Sequence, residues 1–345
     1  MNRRQWFIGR NRQRKLCEIG VHDQGARDCG GEPHQVHRIA ILDDWEHRWA
    51  DSSSTDRLRQ HALVEIFDHH VEAAELTDRI YDVDILILNR ERTALDAAAL
   101  RALPNLRLIY NTGTGLPHLN TTAAQELGIQ VFSSPGATAQ SVAEHTFALM
   151  LAAFHRIPQL DADVRSGGFA RPIIRDLGRK TLAVLGLGTI GTRVAHIGQA
   201  FGMDVVAWGP TLTGARAEAA GVRRAVSLVD LARQADIFSI HLRVVERTIG
   251  IVDATVIDAL RPHTLLINTS RAKLVDRAAL LQRLTRGDLQ VGLDVFDEEP
   301  PALDDAIRSA PGVLTPHIAW MTDETWDRFI RSGIDAIESA LTRQG

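Results

Sequence analysis

The sequence predicts an α/β protein of two parallel-sheet domains, one inserted in the other, and three observations carry that expectation. From Arg38 onward, short apolar runs alternate with helical stretches, the pattern of parallel strands covered by helices. A glycine turn, Gly186-x-Gly188-x-x-Gly191, sits in mid-chain between a buried-strand pattern (Thr181–Leu185) and a helical stretch (Thr192–Phe201). An amphipathic stretch, Asp323–Thr342, follows the last strand and is free to pack back on the first half.

Candidate strands in the first half are Ile39–Leu42, Val64–Phe67, Ile85–Leu88, Leu106–Tyr110 and Ile129–Phe132. Helical stretches lie between them at Val71–Tyr81, Leu95–Leu103 and Thr121–Leu127, with Asn120 as N-cap of the last and Gly128 as its stop. Together they read as a small, doubly wound, flavodoxin-like domain. Ser133-Ser-Pro-Gly136 is a turn cluster, and a long helix follows, about Ser141–Arg156, apolar on nearly every face from Phe147 to Phe154. A helix without a polar face is buried on all sides, in deep core or in a subunit interface. The interface is the favoured reading, so a homodimer through the helix near 141–156 is expected.

The second half supplies strands at Leu182–Leu185, Val205–Trp208, Ile237–Leu242, Thr264–Asn268, Gln290–Val295 and Val313–Thr315, with helices between them, Asp276–Arg286 included. The last helix carries an apolar period through Trp326, Phe329, Ile330, Ile334, Ile337 and Leu341. Packed on the first half, it makes that domain discontinuous. The expected division is 38–138 plus 319–345 for a substrate domain and 139–318 for the inserted domain.

A chain of 345 residues is long enough for two domains with full cores, and 45% hydrophobic with 24% charged residues is a globular composition. No apolar run approaches membrane-spanning length and no secretory segment follows the start, so a cytoplasmic protein with no membrane partner is expected. The first 38 residues carry eight Lys or Arg against four Asp or Glu, net +4, which leaves −8 on the remainder of a chain of net −4. Residues 1–37 read as a poorly ordered N-terminal extension without a hydrophobic period, with an organellar targeting peptide as a less favoured option. Only Trp6 and Phe7 are interleaved with its basic residues and the body is acidic, so no nucleic-acid partner is expected. Both cysteines, Cys17 and Cys29, lie in this extension, so neither core depends on a disulfide or thiol nucleophile. Their spacing to His22, His34 and His37 matches no metal-ligand pattern, and no metal is expected.

The glycine spacing has a mechanical meaning in its strand-to-helix context. Gly186 permits the tight turn, Gly188 lets backbone approach a pyrophosphate, and Gly191 lets helix pack against strand. The pyrophosphate lies on the helix N-terminus, where free N–H groups and the dipole favour an anion. The inserted domain is therefore predicted to be a Rossmann dinucleotide-binding domain.

Three spots mark the ends of its later strands. Ile267-Asn-Thr-Ser-Arg271 places an arginine, Leu293-Asp-Val-Phe-Asp-Glu-Glu299-Pro300 places carboxylates, and Leu314-Thr-Pro-His317 places a histidine. In open α/β sheets ligands bind at that edge. Singly, each has a blander reading: a surface ion-pair partner, turn acids, a hydrogen-bonded core histidine. Together they suit reduction of a 2-oxo acid. The guanidinium fork grips the carboxylate and polarises the oxo group. The histidine donates the proton, supported by a carboxylate behind it.

With these motifs in order, the chain resembles the D-2-hydroxyacid dehydrogenase family, which includes phosphoglycerate, glycerate/hydroxypyruvate and D-lactate dehydrogenases. The resemblance runs from about Arg38 to the C-terminus through Ser141-Val-Ala-Glu-His-Thr146, the glycine turn, Asn268-Thr-Ser-Arg271, Leu293-Asp-Val-Phe296 with Glu299-Pro300, and Thr315-Pro-His-Ile318. It implies that Arg271 orients substrate, Glu299 pairs with His317, and His317 is the acid/base. Asp294 is then the contact of the nicotinamide amide, and backbone around Thr189, Ile190 and Thr269 holds the cofactor, with Gly209 and His241 also on the cofactor side. Gly113-Thr114-Gly115 matches the glycine loop whose amides receive the substrate carboxylate, and Arg92 a basic position on the substrate side. The partner implied is a small 2-oxo or 2-hydroxy acid.

The chain also departs from the family pattern. Ala272-Lys273 follow the arginine where glycine is usual, and His241-Leu-Arg-Val-Val-Glu lacks the usual proline. At the end of Val205-Val-Ala-Trp-Gly209-Pro210, glycine stands where an acid is expected to bind the ribose 2′-hydroxyl of NAD. Thr211, Thr213 and Arg216 are candidates to hold a 2′-phosphate, so the cofactor is left as NAD or NADP. No regulatory domain follows within 345 residues, which argues against an amino-acid-regulated phosphoglycerate enzyme. The alternative to an enzyme is an NAD(H)-sensing, corepressor-like binding protein with little or no turnover.

Overall fold

A computed structural model describes residues 37–342. The expectations placed on the N-terminal extension concern residues outside the described ones, except that His37 opens the first strand.

The first sheet is built from β1 (His37–Leu42), β2 (Ala62–Ile66), β3 (Ile85–Leu88), β4 (Leu108–Asn111) and β5 (Gln130–Ser133). They are all parallel, in the order β2-β1-β3-β4-β5. This is the flavodoxin-type order, with its reversal between β1 and β3. Helices α1 (Ser53–Arg59), α2 (Ala73–Arg79), α3 (Ala97–Arg101) and α4 (Thr121–Glu126) make the crossovers. Asn120 caps α4 by accepting from the Ala123 amide at 2.9 Å, and Gly128 follows at φ 73°. Helix α1 has no counterpart in the sequence reading because its segment is almost wholly polar. It forms on an N-cap at Ser52 and buries only Thr55 and Leu58.

Alternate residues of these strands enter different cores. Ile39 and Ile41 pack on one face with Trp49, Tyr110 and the C-terminal helix, while Ala40 and Leu42 pack on the other with Leu86 and Leu88. Burial on both faces accounts for the unbroken apolar runs.

Helix α5 (Ala139–Phe154) leads to α6 (Ile157–Arg165) and to the second sheet. Its strands are β6 (Thr181–Leu185), β7 (Asp204–Trp208), β8 (Arg223–Arg224), β9 (Ile237–Ile240), β10 (Thr264–Asn268), β11 (Leu289–Leu293) and β12 (Gly312–Leu314). They are parallel in the order β12-β11-β10-β9-β6-β7-β8, the Rossmann arrangement with one added edge strand. The order reverses between β6 and β9, which puts the glycine turn at the crevice. Helices α7 (Thr189–Ala200), α8 (Gly214–Ala219), α9 (Leu228–Gln234), α10 (Ala254–Ala259) and α11 (Arg277–Leu284) cover the sheet.

The all-apolar face of α5 finds its partners within the chain. Ten of its sixteen residues are buried, packed on α7, β10, β11 and β12. Gly292 permits the approach, since a Cβ there would lie 3.2 Å from that of Leu149. Of the two readings the sequence left for this helix, deep core describes most of its surface.

Helix α12 (Asp323–Thr342) returns to the first sheet. Trp326, Phe329, Ile330, Ile334 and Ile337 are buried against Ile39, Ile41 and Tyr110, and the Tyr110 hydroxyl donates to the Phe329 carbonyl at 2.7 Å. Gly333 makes the close approach, because a Cβ would lie 2.7 Å from Tyr110 Cε1 and 3.0 Å from Trp49 Cη2. Gly333→Ala gains about 1 kcal/mol of helix propensity. Overpacking against two fully buried rings costs about 1–3 kcal/mol and wins. Urea denaturation is expected to show a lower midpoint for the variant.

Candidate active site

The cofactor side starts at the end of β6. The chain turns at Gly186 (φ 99°), whose amide donates to the Trp208 carbonyl at 2.8 Å. A Cβ at Gly186 would lie 2.6 Å from the His241 carbonyl oxygen, and one at Gly191 would lie 1.9 Å from the Gly186 carbonyl oxygen. Both positions therefore exclude any side chain. Gly188 faces open space and is the N-cap of α7, which has no side-chain cap and no acid in its first turn. The first-turn amides at Thr189, Ile190 and Gly191 are left for a ligand anion, and the cradle fits a pyrophosphate.

The catalytic side is built at the ends of β10, β11 and β12, three neighbours in the sheet. Asn268 shapes the first turn: its amide group donates to the Arg271 carbonyl at 2.9 Å and its Oδ1 accepts from the Ser270 amide at 3.0 Å. The Ser270 hydroxyl donates to the Ile240 carbonyl at 2.8 Å, tying this turn to β9. Arg271 is thereby presented at the sheet edge, half-exposed, with Nη2 at 3.3 Å from Glu91 Oε1. Beyond β12, His317 sits at φ 56° with Nδ1 2.6 Å from Glu299 Oε2. The Phe296 amide holds the other Glu299 oxygen at 3.0 Å. His317 Nε2 has no partner among the described residues.

Asp294 is fully buried, and its carboxylate organises the His317 loop. Oδ1 accepts from the Thr315 hydroxyl at 2.6 Å and the Ile318 amide at 2.9 Å, and Oδ2 from the Ala319 amide at 2.8 Å. His145, on α5, lies 2.9 Å from the Thr315 hydroxyl and 3.5 Å from Asp294 Oδ1. Burial raises the Asp294 pKa, but the bonds from His145, Thr315, Ala319 and Ile318 outweigh it and hold the carboxyl below the ordinary value of 3.8. The resemblance puts Asp294 against the nicotinamide amide; the structure shows its oxygens engaged on the loop.

Asp294→Asn puts an amide donor beside backbone N–H groups and is expected to cost about 2–3 kcal/mol at neutral pH. A depressed pKa stabilises the fold above the ordinary carboxylate range, and that contribution is lost as pH falls through the lowered value. The difference between the two urea midpoints should therefore shrink in acid.

On the first-domain side, Gly113 (φ 109°) opens the loop after β4, and its amide donates to Ser134 Oγ at 3.1 Å. That amide is taken. Those of Thr114 and Gly115 have no acceptor among the described residues and remain as donors for a carboxylate.

Arg92, the basic position that the resemblance puts on the substrate side, is engaged by its own domain. Its guanidinium donates to the Asp43 carbonyl at 2.7 Å and to Glu46 at 2.8 Å, and stacks 4.2 Å from the Trp45 ring. Arg90, two residues earlier, is the arginine that packs beside the glycine loop. Its Nη1 lies 2.3 Å from where a Gly113 Cβ would be, and its guanidinium rests 4.5 Å from the Trp320 ring. Burial pushes its pKa down to about 10, against the pull of Glu91 and with the charges of Arg271 and Arg92 adding to the depression. The left-handed turn at Arg90 (φ 64°) sends two arginines of one short motif to different places.

The remaining cofactor-side positions are varied in their surroundings. Gly209 lies beside Gly186 at the end of β7, and Thr269 is buried with its hydroxyl 3.1 Å from that of Thr146. His241 is buried with Nε2 2.8 Å from the Ser239 hydroxyl, and burial pushes its pKa down to about 3, so its ring is neutral. Arg90, Glu91, His145 and Trp320 were missed in the sequence. Only His145 stood in a recognised motif, without a role.

Comparison with known proteins agrees with this construction. Residues 147–319 match the model of the D-isomer specific 2-hydroxyacid dehydrogenase, NAD binding domain. The D-3-phosphoglycerate dehydrogenase of Mycobacterium bovis is 35% identical over 303 residues, 87% of this chain and 53% of that protein. The chain thus spans about half the length of the phosphoglycerate dehydrogenases it matches. The hydroxypyruvate reductase of Thermotoga maritima is 33% identical over 303 residues, 86% of this chain and 96% of that protein. A crystal structure of a putative D-3-phosphoglycerate dehydrogenase from Ralstonia solanacearum superimposes with TM-score 0.78 and 32% identity, covering 89% of this chain and 95% of that one. No helix of the described residues is long and apolar enough to cross a membrane. With the glycine cradle, the two sheet orders and these matches in agreement, the chain belongs to the D-isomer specific 2-hydroxyacid dehydrogenase family.

Proposed function

We propose that the chain is an NAD(P)-dependent oxidoreductase that interconverts a small 2-oxo acid and its D-2-hydroxy acid. The observation that carries this is the 2.6 Å pairing of His317 with Glu299 at the sheet edge that also presents Arg271. The dinucleotide, when bound, supplies or accepts the hydride. Arg271 and the amides of Thr114 and Gly115 take the substrate carboxylate. The Arg271 fork polarises the oxo oxygen, and His317 delivers a proton to that oxygen from Nε2. Glu299 fixes the ring orientation through Nδ1 and stabilises the imidazolium before transfer. Residues 139–318 serve as the cofactor domain, and 38–138 with 319–345 as the substrate domain.

A homodimer is part of the proposal, with its contact carried on past the 141–156 helix, most of whose surface its own chain covers. Ile157, Val164, Phe169, Ile173 and Ile174, just beyond that helix, are exposed apolar residues that a second subunit would cover.

Steady-state oxidation of NADH or NADPH with a panel of 2-oxo acids tests the function. Turnover that disappears in Arg271→Ala supports it. Tight cofactor binding with no acid turned over by the native chain would sink it in favour of a dinucleotide-sensing protein.

A further inference from the structure

The turn after β7 joins the glycine loop through one arginine. Arg216, on α8, donates from Nη2 to the Leu187 carbonyl at 2.9 Å and from Nη1 to the Thr211 carbonyl at 3.4 Å. Leu187 lies between the first two glycines of the cradle. Thr211 belongs to the turn that starts at Gly209. In a Rossmann domain these two segments flank the adenosine ribose.

Arg224, on the neighbouring strand β8, braces the same turn through the Leu212 carbonyl at 3.0 Å. Neither Arg216 nor Arg224 has a carboxylate within ion-pair distance among the described residues, whereas the adjacent Arg223 is paired with Asp204 at 2.6 Å. Thr213 is the N-cap of α8, accepting from the Arg216 amide at 3.3 Å, and its O–H is left as a donor. All three residues the sequence offered for a phosphate keep donors in the structure, and Arg216 is the one that carries charge.

Gly209 supplies the second, independent observation. A Cβ there would meet nothing closer than 3.7 Å, so contacts at the Cβ do not require glycine at this position. The consequence of glycine there is one of charge. An acid would repel a phosphate monoester and would neutralise Arg216, and the chain has neither effect.

We infer that the enzyme uses NADP(H) in preference to NAD(H), with Arg216 receiving the 2′-phosphate and Gly209 leaving room and charge for it. This rests on the dinucleotide reading of the glycine cradle. Arg216 is already positioned by two carbonyls, so little side-chain freedom is lost on binding and its unused N–H groups meet the phosphate as charge-assisted donors.

Calorimetric titration of the full chain with adenosine 2′,5′-bisphosphate and with 5′-AMP, at one ionic strength, tests it without turnover. The bisphosphate is expected to bind about tenfold tighter or better, the scale of hydrogen bonds to a charged group. Arg216→Gln should erase most of that margin while leaving AMP affinity in place. Gly209→Asp places a carboxylate that repels the 2′-phosphate and competes for Arg216, and should cut bisphosphate affinity by about tenfold or more with AMP unweakened. Equal affinity of the native chain for the two nucleotides overturns the preference while the dinucleotide reading survives. Failure of both nucleotides to bind overturns the two together. A margin untouched by either substitution removes Arg216 and Gly209 as its cause and overturns the assignment.

Discussion

His317→Ala is expected to lower kcat by about 10²- to 10⁴-fold, the range of a lost general acid, while the dissociation constant of the dinucleotide stays close to native. The pairing of Nδ1 with Glu299 leaves Nε2 as the one ring position without a partner among the described residues, and the proposed proton transfer leaves from there. A group that acts only in the chemical step affects kcat and kcat/KM alike. The backbone needs a control, because residue 317 is in the left-handed region at φ 56°, where asparagine and histidine are tolerated better than alanine. His317→Asn keeps that tolerance and should show the same kinetic loss with a native-like urea midpoint. Equal losses of turnover and dinucleotide affinity would count against the proton-donor role. Glu299→Gln should be milder than either, since it removes the charge behind the ring but keeps an acceptor for Nδ1.

Arg271→Ala is expected to lower kcat/KM for the acid by about 10³-fold or more, the cost of losing a charge-assisted fork on a carboxylate. Arg271→Lys should recover little, because one ammonium does not reproduce two parallel N–H donors. Without substrate, the guanidinium is 3.3 Å from Glu91 Oε1. A substrate carboxylate then joins or displaces an existing partner, and Glu91→Gln should change KM for the acid more than kcat. Steady-state kinetics with saturating dinucleotide separates these effects. An Arg271→Ala enzyme whose KM and kcat both remain native would remove Arg271 from the site.

The parts of the site legible in the sequence are those enforced by local backbone geometry. Gly186 and Gly191 are required because a Cβ at either would collide with backbone, and such a requirement shows as a fixed spacing. Asn268 and Arg271 are linked by a turn within four residues, so their motif is local as well. Glu299 and His317 were legible as residues at strand ends, though their contact spans two different loops.

What escaped the sequence depends on where a side chain goes after the strand ends. Arg90 and Arg92 are two residues apart and chemically alike. A left-handed turn at Arg90 puts one guanidinium under Gly113 and sends the other to Glu46. Glu91 stands in no sequence motif, and the loops after β3 and β10 bring it to Arg271. That Asp294 holds the His317 loop shows only once the Thr315–Ala319 segment folds over it and donates to both oxygens.

The positions of the strands along the chain, the glycine cradle and the motifs at the strand ends follow from periodicity and from backbone constraints that act over a few residues. Sequence alone therefore determined the family, the two α/β layers and the residues at the sheet edge. Only the tertiary structure decided which arginine faces the glycine loop, what holds the His317 loop, and that α5 is covered mostly by its own chain. Those outcomes turn on charge pairing and close packing between segments far apart in the chain, which no local pattern encodes.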